Sequence, residues 1–450
     1  MIIALLIIFV VLLITTYLIF KKDILQPAVI FIAMYTISIA CACLNIRKWN
    51  IELNLTTFLV ILIGAIEFII INYLIYRKMR KRQNINNTEN DYIKEANIDK
   101  WKLIIVLLFN ITVIGLMLKN VLSIASQYGQ FSGLSEALTI FKQHTSYSND
   151  TSLPKYMAWL QKFTYPLAYI MSFYYIKEIV FSEDKKIKTA IKKIYYLIPA
   201  VCFVIQELLT SNRLSTLALC IGIFVMTILL VYEKEKWNKT IKLKSVLGIG
   251  CIACTLLISF YFSAKLVGRK NSKNMIDYIT LYCGGSIDCL NLYFENPPSK
   301  ENYIIGQESF YYFVKNLRDY KIINIEELPT IHLEFRYNEN TMIGNVYTAY
   351  RRWINDFGFV GAFILQAIMA ICYSYAYNKI KNIRKEKDFC MIMYAYLAYP
   401  LFLHCIDGYF YLLTVRIAFV TTFIIFVLVY LFLTKYKICF KRKENEKIDN

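Results

Sequence analysis

Apolar residues in this chain come in continuous blocks of about twenty, divided by short polar connections, with neither the i, i+3, i+4 stripe of a half-buried helix nor the alternation of a strand. Blocks of that length match the hydrocarbon thickness of a bilayer, so the pattern predicts an all-α polytopic membrane protein. Eleven spans can be marked, at residues 2–20, 27–45, 56–76, 103–122, 156–180, 194–210, 214–232, 245–264, 357–377, 390–405 and 411–433. The first has no basic n-region and no Ala-x-Ala site before Lys21-Lys22, and it reads as a retained helix. No internal repeat is visible, which argues against the inverted-repeat plan of many transporters.

Basic clusters recur in every second connection: at Lys21-Lys22, Arg77 to Arg82, Lys185 to Lys193, Lys234 to Lys244, Lys379 to Lys387 and Lys435 to Lys443. The positive-inside rule then places the N-terminus outside and the C-terminus in the cytoplasm. This orientation exports two longer connections, about 122–155 and 265–356. The expected organisation is spans over 1–264, a large extracytoplasmic loop over 265–356, further spans over 357–434 and a basic cytoplasmic tail over 435–450. Aromatics in the large loop, with turn markers at Gly284-Gly285 and Pro297-Pro298, predict short helices on or near the membrane surface.

A formal net charge of +19 would suit nucleic acid, but the cations sit in the connections, where they encode orientation. The twelve cysteines are scattered, largely within apolar stretches, and show no metal-ligand spacing. Cys283 and Cys289 are the pair that could join. No P-loop, HExxH, GxSxG or paired CxxC is present, so ATP hydrolysis, zinc chemistry and serine acyl transfer have no support and neither cofactor nor metal is expected.

Candidate chemistry lies with polar residues on the outward side: Arg213 in the turn Ser211-Asn212-Arg213, Lys265 and Arg269 after the eighth span, Arg336, Arg351 and Arg352 before the ninth, and Arg416 inside the eleventh. Each alone could snorkel or pair with a carboxylate. Together they run against the orientation signal, and an arginine-rich outer cavity suits an anionic group, phosphate above all. Glu207, Asp356 and Asp407 are the carboxylates at that level, and His332 and His404 are satisfied polar residues or catalysts. Glu67, in mid-span, reads as a hydrogen-bonded structural carboxylate.

The most distinctive stretch is Gly344-Asn345-Val346-Tyr347-Thr348, followed by Asp356-Phe357-Gly358-Phe359-Val360-Gly361, whose glycines allow close approach of loop and helix start. With Asp23 to Pro27, Ser211-Asn212-Arg213 and Gly268-Arg269, nearly the whole chain resembles the Wzy group, the oligosaccharide repeat unit polymerases of bacterial surface polysaccharide synthesis. The resemblance implies a GT-C-like membrane glycosyltransferase of the bacterial cytoplasmic membrane. Its donor and acceptor would be undecaprenyl-diphosphate-linked oligosaccharides, with a flippase and a chain-length regulator as pathway partners.

Such a reaction needs the leaving diphosphate stabilised and a base near the acceptor hydroxyl. Arg213, Arg269 and Arg416 take the first role, with Arg336, Arg351 and Arg352 behind them; Asp356, His332, Glu207 and Asp407 are unranked candidates for the second. Asn345 and Tyr347 are expected at the acceptor or loop. Fixed arginines can do this work without a metal. The competing readings are a lipid-linked oligosaccharide flippase, which would want cations deep in a cavity open to both faces, and an O-antigen ligase, which uses the same donor.

Overall fold

The computed structural model describes residues 1–83, 98–147, 151–182, 186–237, 274–300, 303–325, 328, 330–339, 341–383 and 387–436. They are mostly helical, and seven of the described helices are long and apolar enough to cross a membrane: Ile2–Ile19, Pro27–Leu44, Leu55–Arg80, Lys100–Tyr128, Arg213–Lys234, Ala349–Asn382 and Ile417–Thr434. The first shows why. Leu5, Phe9 and Thr16 point inward while Ile3, Ile7, Val11, Ile14 and Leu18 are exposed, a face that water would not tolerate in such length and lipid would.

Other expected spans take different forms. Residues 156–180 form the helix Lys155–Phe181, whose five tyrosines and Pro166 make it too polar to join the seven. The sixth is a shorter apolar helix, Ile194–Leu209, and the eighth lies outside the described residues. The tenth is not one helix: Asp388–Tyr396 stops after nine residues, about 14 Å at 1.5 Å per residue, followed by Tyr399–Phe402 and a turn. The eleventh starts late, because Tyr409–Thr414 is a separate short helix and the chain is extended at Arg416 before Ile417–Thr434. Arg416 therefore caps a helix and does not lie inside one. Irregular backbone at membrane depth needs protein or a polar cavity around it, and Leu401, Leu403, Cys405 and Leu413 are all buried.

The large connection departs furthest from expectation. Its first half is a single 21-residue helix, Met275–Glu295, lying against Pro27–Leu44, and Gly284-Gly285 sits inside it rather than at a turn. A Cβ at Gly284 would stand 2.5 Å from the Ala42 nitrogen and 2.8 Å from the Cys41 carbonyl carbon, so the glycine is what lets the backbones touch. Ser38 Oγ seals the contact with a 2.7 Å hydrogen bond to the Cys283 carbonyl. Cys283 and Cys289, the pair that could join by sequence, do not. Six residues along one helix is a rise of about 9 Å, beyond disulfide reach, and both thiols are free. Cys283 is instead hydrogen-bonded to the thiol of Cys41.

Strands β1 (Arg336–Asn338) and β2 (Thr341–Gly344) form an antiparallel hairpin over this helix, in the register Arg336↔Gly344, Tyr337↔Met342, Asn338↔Thr341. Ala349–Asn382 bends at Gly358, whose φ of 68° with ψ of −174° belongs to a region open in practice only to glycine. Beyond the bend, Gln366 Nε2 donates to Gly64 O and to Glu67 Oε2, both at 2.7 Å, and Gln366 Oε1 accepts from Tyr350 Oη. Glu67 is thus hydrogen-bonded between helices, as its structural reading required.

Candidate functional site

The arginines singled out from the sequence fall into two groups. The first surrounds the start of Ala349–Asn382 and is closed by ion pairs. Arg351, fully buried, meets Glu308 at 2.7 Å and Glu334 at 3.0 Å; Arg352 holds Asp407 through Nε at 2.6 Å and Nη2 at 3.0 Å; Arg336 meets Glu334 at 2.8 Å and donates to Tyr347 Oη and Asn296 O. Asp356 accepts from Tyr303 Oη (2.5 Å) and from the backbone nitrogens of Gly306, Glu308 and Ser309, so it folds residues 303–309 around itself.

This geometry bears on three of the expectations. Arg336, Arg351 and Arg352 have their charge neutralised by carboxylates of the chain itself, which suits anchors better than diphosphate ligands. Asp356 accepts four hydrogen bonds and Asp407 two from Arg352 and one from Gly408 N, an arrangement that suits an anchor better than a base. Tyr347 is fully buried, donating to Glu334 O at 3.0 Å, so it is a strut and not an acceptor contact. Asn345 lies half-buried in the turn after β2.

The electrostatics follow from the pairing. Burial pushes the Glu308 carboxyl up, with Arg351 and Arg352 opposing. At Glu334 burial also pushes upward but is outweighed by the Arg351 charge and by hydrogen bonds from Arg336 and Arg351, and the carboxyl ends below its ordinary value. His332, beside Arg352 and Asp407, is pushed down first by burial and then by the Arg352 charge.

Arg213 and Arg416, the other two described arginines of those singled out, lie outside these ion pairs. Arg213 is the first residue of Arg213–Lys234, after the Asn212 cap, and donates to Tyr278 Oη at 2.7 Å and Tyr282 Oη at 3.5 Å. Tyr282 neighbours Tyr409, whose ring lies 6.0 Å from Tyr399, and Tyr399 neighbours both Arg416 and Tyr312. The Arg416 guanidinium lies 5.2 Å from the Tyr312 ring centre. Lys162 adds a cation: it neighbours Arg416 and donates to Thr421 Oγ1 at 3.2 Å.

Around these residues, buried polar atoms go without partners: both amide atoms of Gln206, Glu207 Oε2, Ser211 Oγ, Thr216 Oγ1 and Arg416 Nε. Such atoms are costly unless something polar meets them. Glu207 is nearly fully buried and neighbours Asn212 and Ser215.

Arg269 and Lys265 lie outside the described residues. His404 is a core residue, its Nδ1 2.9 Å from Tyr35 Oη and its ring enclosed by Phe31, Tyr350 and Trp353. Among the described residues no three His, Cys, Asp or Glu side chains converge as metal ligands. Sequence reasoning missed Lys162, although a lysine inside an apolar stretch is the same signal that marked Arg416. It also missed Tyr278, Tyr282 and Tyr312, for which the sequence carries no signal. A scan of protein-family models, a search of curated proteins and a search of solved structures returned no match.

Proposed function

We propose that this chain is a membrane-embedded glycosyltransferase that polymerises lipid-diphosphate-linked oligosaccharide repeat units at the outer face of the bacterial cytoplasmic membrane, as its resemblance to the Wzy group implies. The finer topology belongs to the same reading: eleven membrane crossings with broken tenth and eleventh segments, the N-terminus outside, and a GT-C-like plan.

One observation carries the proposal. Arg213 and Arg416 each stand at the N-terminus of a long apolar helix, where the helix dipole is already positive, among buried polar atoms without partners. A cation there is electrostatically unfavourable by itself and favourable once an anion binds. The diphosphate of a lipid-linked donor is such an anion.

The acceptor hydroxyl attacks the anomeric carbon of the growing chain, the bond from that carbon to the diphosphate oxygen breaks, and lipid diphosphate leaves. Glu207, beside the Asn212 cap that precedes Arg213, takes the hydroxyl proton. Arg213 and Arg416 stabilise the charge that develops on the leaving oxygen. The deciding experiment compares cells with and without the gene. Single repeat units should accumulate on lipid when it is deleted, and a ladder of longer polymers should return on complementation. Unchanged polymer length after deletion would refute the assignment.

A further inference from the structure

The helices Pro27–Leu44 and Met275–Glu295 run antiparallel in a register that three contacts fix. Ser38 Oγ lies 3.5 Å from Ser286 Oγ, the backbones meet at Ala42 and Gly284, and Lys48, in the short helix Ile46–Trp49 that follows, pairs with Asp277 at 2.6 Å. Cys41 and Cys283 fall inside this register, side by side. A Cβ placed on Gly284 would stand 2.9 Å from Cys41 Cβ, the Cys283 carbonyl accepts from Ser38 Oγ at 2.7 Å, and the two thiols are hydrogen-bonded to each other. Both residues are half-buried, so a small reagent can reach them, whereas the neighbouring thiol of Cys405 is buried.

A disulfide needs Cβ atoms about 3.8 Å apart and Cα atoms within about 7 Å, a spacing that helices touching at the very next residue can supply. We propose that Cys41 and Cys283 are a disulfide-forming site, closed by exchange with an oxidant of the disulfide class, and that the bond staples Met275–Glu295 to Pro27–Leu44. One cysteine, as thiolate, attacks the incoming disulfide and releases its first thiol; the other cysteine then displaces the second half and closes the Cys41–Cys283 bond. Two electrons pass from the cysteine sulfurs to the oxidant, and the two protons leave on its thiols.

The staple acts where Arg213 is held. Tyr282 precedes Cys283 and Tyr278 lies just over one turn earlier, and both hydroxyls accept from Arg213, so fixing this helix fixes those partners of the arginine. On the proposed orientation the pair lies toward the outer face, in a compartment where disulfides persist. The site itself stands whether or not the transfer reading holds.

The test uses the full-length protein in detergent, reduced, freed of reductant and equilibrated with mixtures of glutathione and glutathione disulfide before the remaining thiols are blocked. Peptide mass spectrometry should find Cys41 joined to Cys283, with two free thiols lost per chain. The oxidised protein should unfold several degrees above the reduced one and exchange amide hydrogen more slowly across residues 275–295, because the link closes a long loop. Cys283→Ser should remove the link and both differences, and Cys372→Ser, at an exposed cysteine elsewhere, should keep all three. Cys41 and Cys283 both remaining free in the folded wild type at every ratio, or Cys283 joined to any other thiol, glutathione included, would overturn the proposal. A link that forms without raising Tm staples nothing and would equally overturn it. Should Cys283→Ser fail to fold, the linked peptide and the Tm of the wild type and of Cys372→Ser decide alone.

Discussion

The carboxylate of Asp407 takes two hydrogen bonds from Arg352, at 2.6 and 3.0 Å, and so ties the turn between two short helices to the first turn of Ala349–Asn382. Arg352 is only 4% exposed. Asp407→Asn removes the counter-charge and leaves a buried guanidinium uncompensated, a loss of about 3–5 kcal/mol. Thermal unfolding in detergent should show a clear fall in Tm. A variant with wild-type stability and no transfer activity would instead make Asp407 the base.

Arg213 and Arg416 should behave in the opposite way. Truncation of either to Ala removes a donor aimed at developing charge and should lower the transfer rate about 100- to 1000-fold. Lys keeps charge without the fork and should restore only part. Polymer length is read on gels and normalised to protein in the membrane. Lys321, exposed in the large loop, is the control; Lys300 is not suitable, because it donates to Asn355 O at 2.8 Å. Long polymer made at normal rate by a well-expressed Arg213→Ala, Arg416→Ala protein would remove the diphosphate site.

The contact between Pro27–Leu44 and Met275–Glu295 is testable through its thiols. Mild oxidation of the folded protein should link Cys41 to Cys283 and never Cys283 to Cys289, as peptide mass spectrometry can decide. Gly284→Ala should cost about 1–3 kcal/mol or more, since the added carbon meets backbone, which yields less readily than a side chain.

Acid should loosen the large loop from its anchor. The Glu334 carboxyl lies below its ordinary value in the folded protein. Its contribution is therefore complete above the unfolded value, about 4.3, and is lost as pH falls through the folded one. Hydrogen exchange of residues 330–336 should accelerate in that acidic window in the wild type, and the acid-dependent step should shrink in Glu334→Gln.

Orientation is checked by cysteine labelling. A cysteine at Ser299 should react with an impermeant thiol reagent in intact spheroplasts, whereas cysteines at Ser182 and Asn382 should not. Reaction at Asn382 would reverse the proposed topology and move the site to the other face.

The sequence by itself determined what depends on local chemistry. Runs such as Ile2–Ile19 and Arg213–Lys234 can only be long apolar helices, because twenty residues without a polar face leave no other way to satisfy the backbone in lipid. The bend at Gly358 was not legible: the sequence assigns that glycine to a close approach of loop and helix start, whereas nothing lies within 4 Å of where its Cβ would stand and its φ of 68° serves a kink inside the helix. Tertiary structure alone decided which charges are spent. Arg351 and Arg213 look alike in sequence, but Glu308 and Glu334 reach the first from 43 and 17 residues away, while the second meets tyrosine hydroxyls 65 and 69 residues on. The same holds for the pair Gly284-Gly285, a turn by composition and a helix contact by packing, and for the broken tenth and eleventh segments. An arginine's partner and a glycine's neighbour are set by which distant backbone comes alongside, and no local pattern encodes that distance.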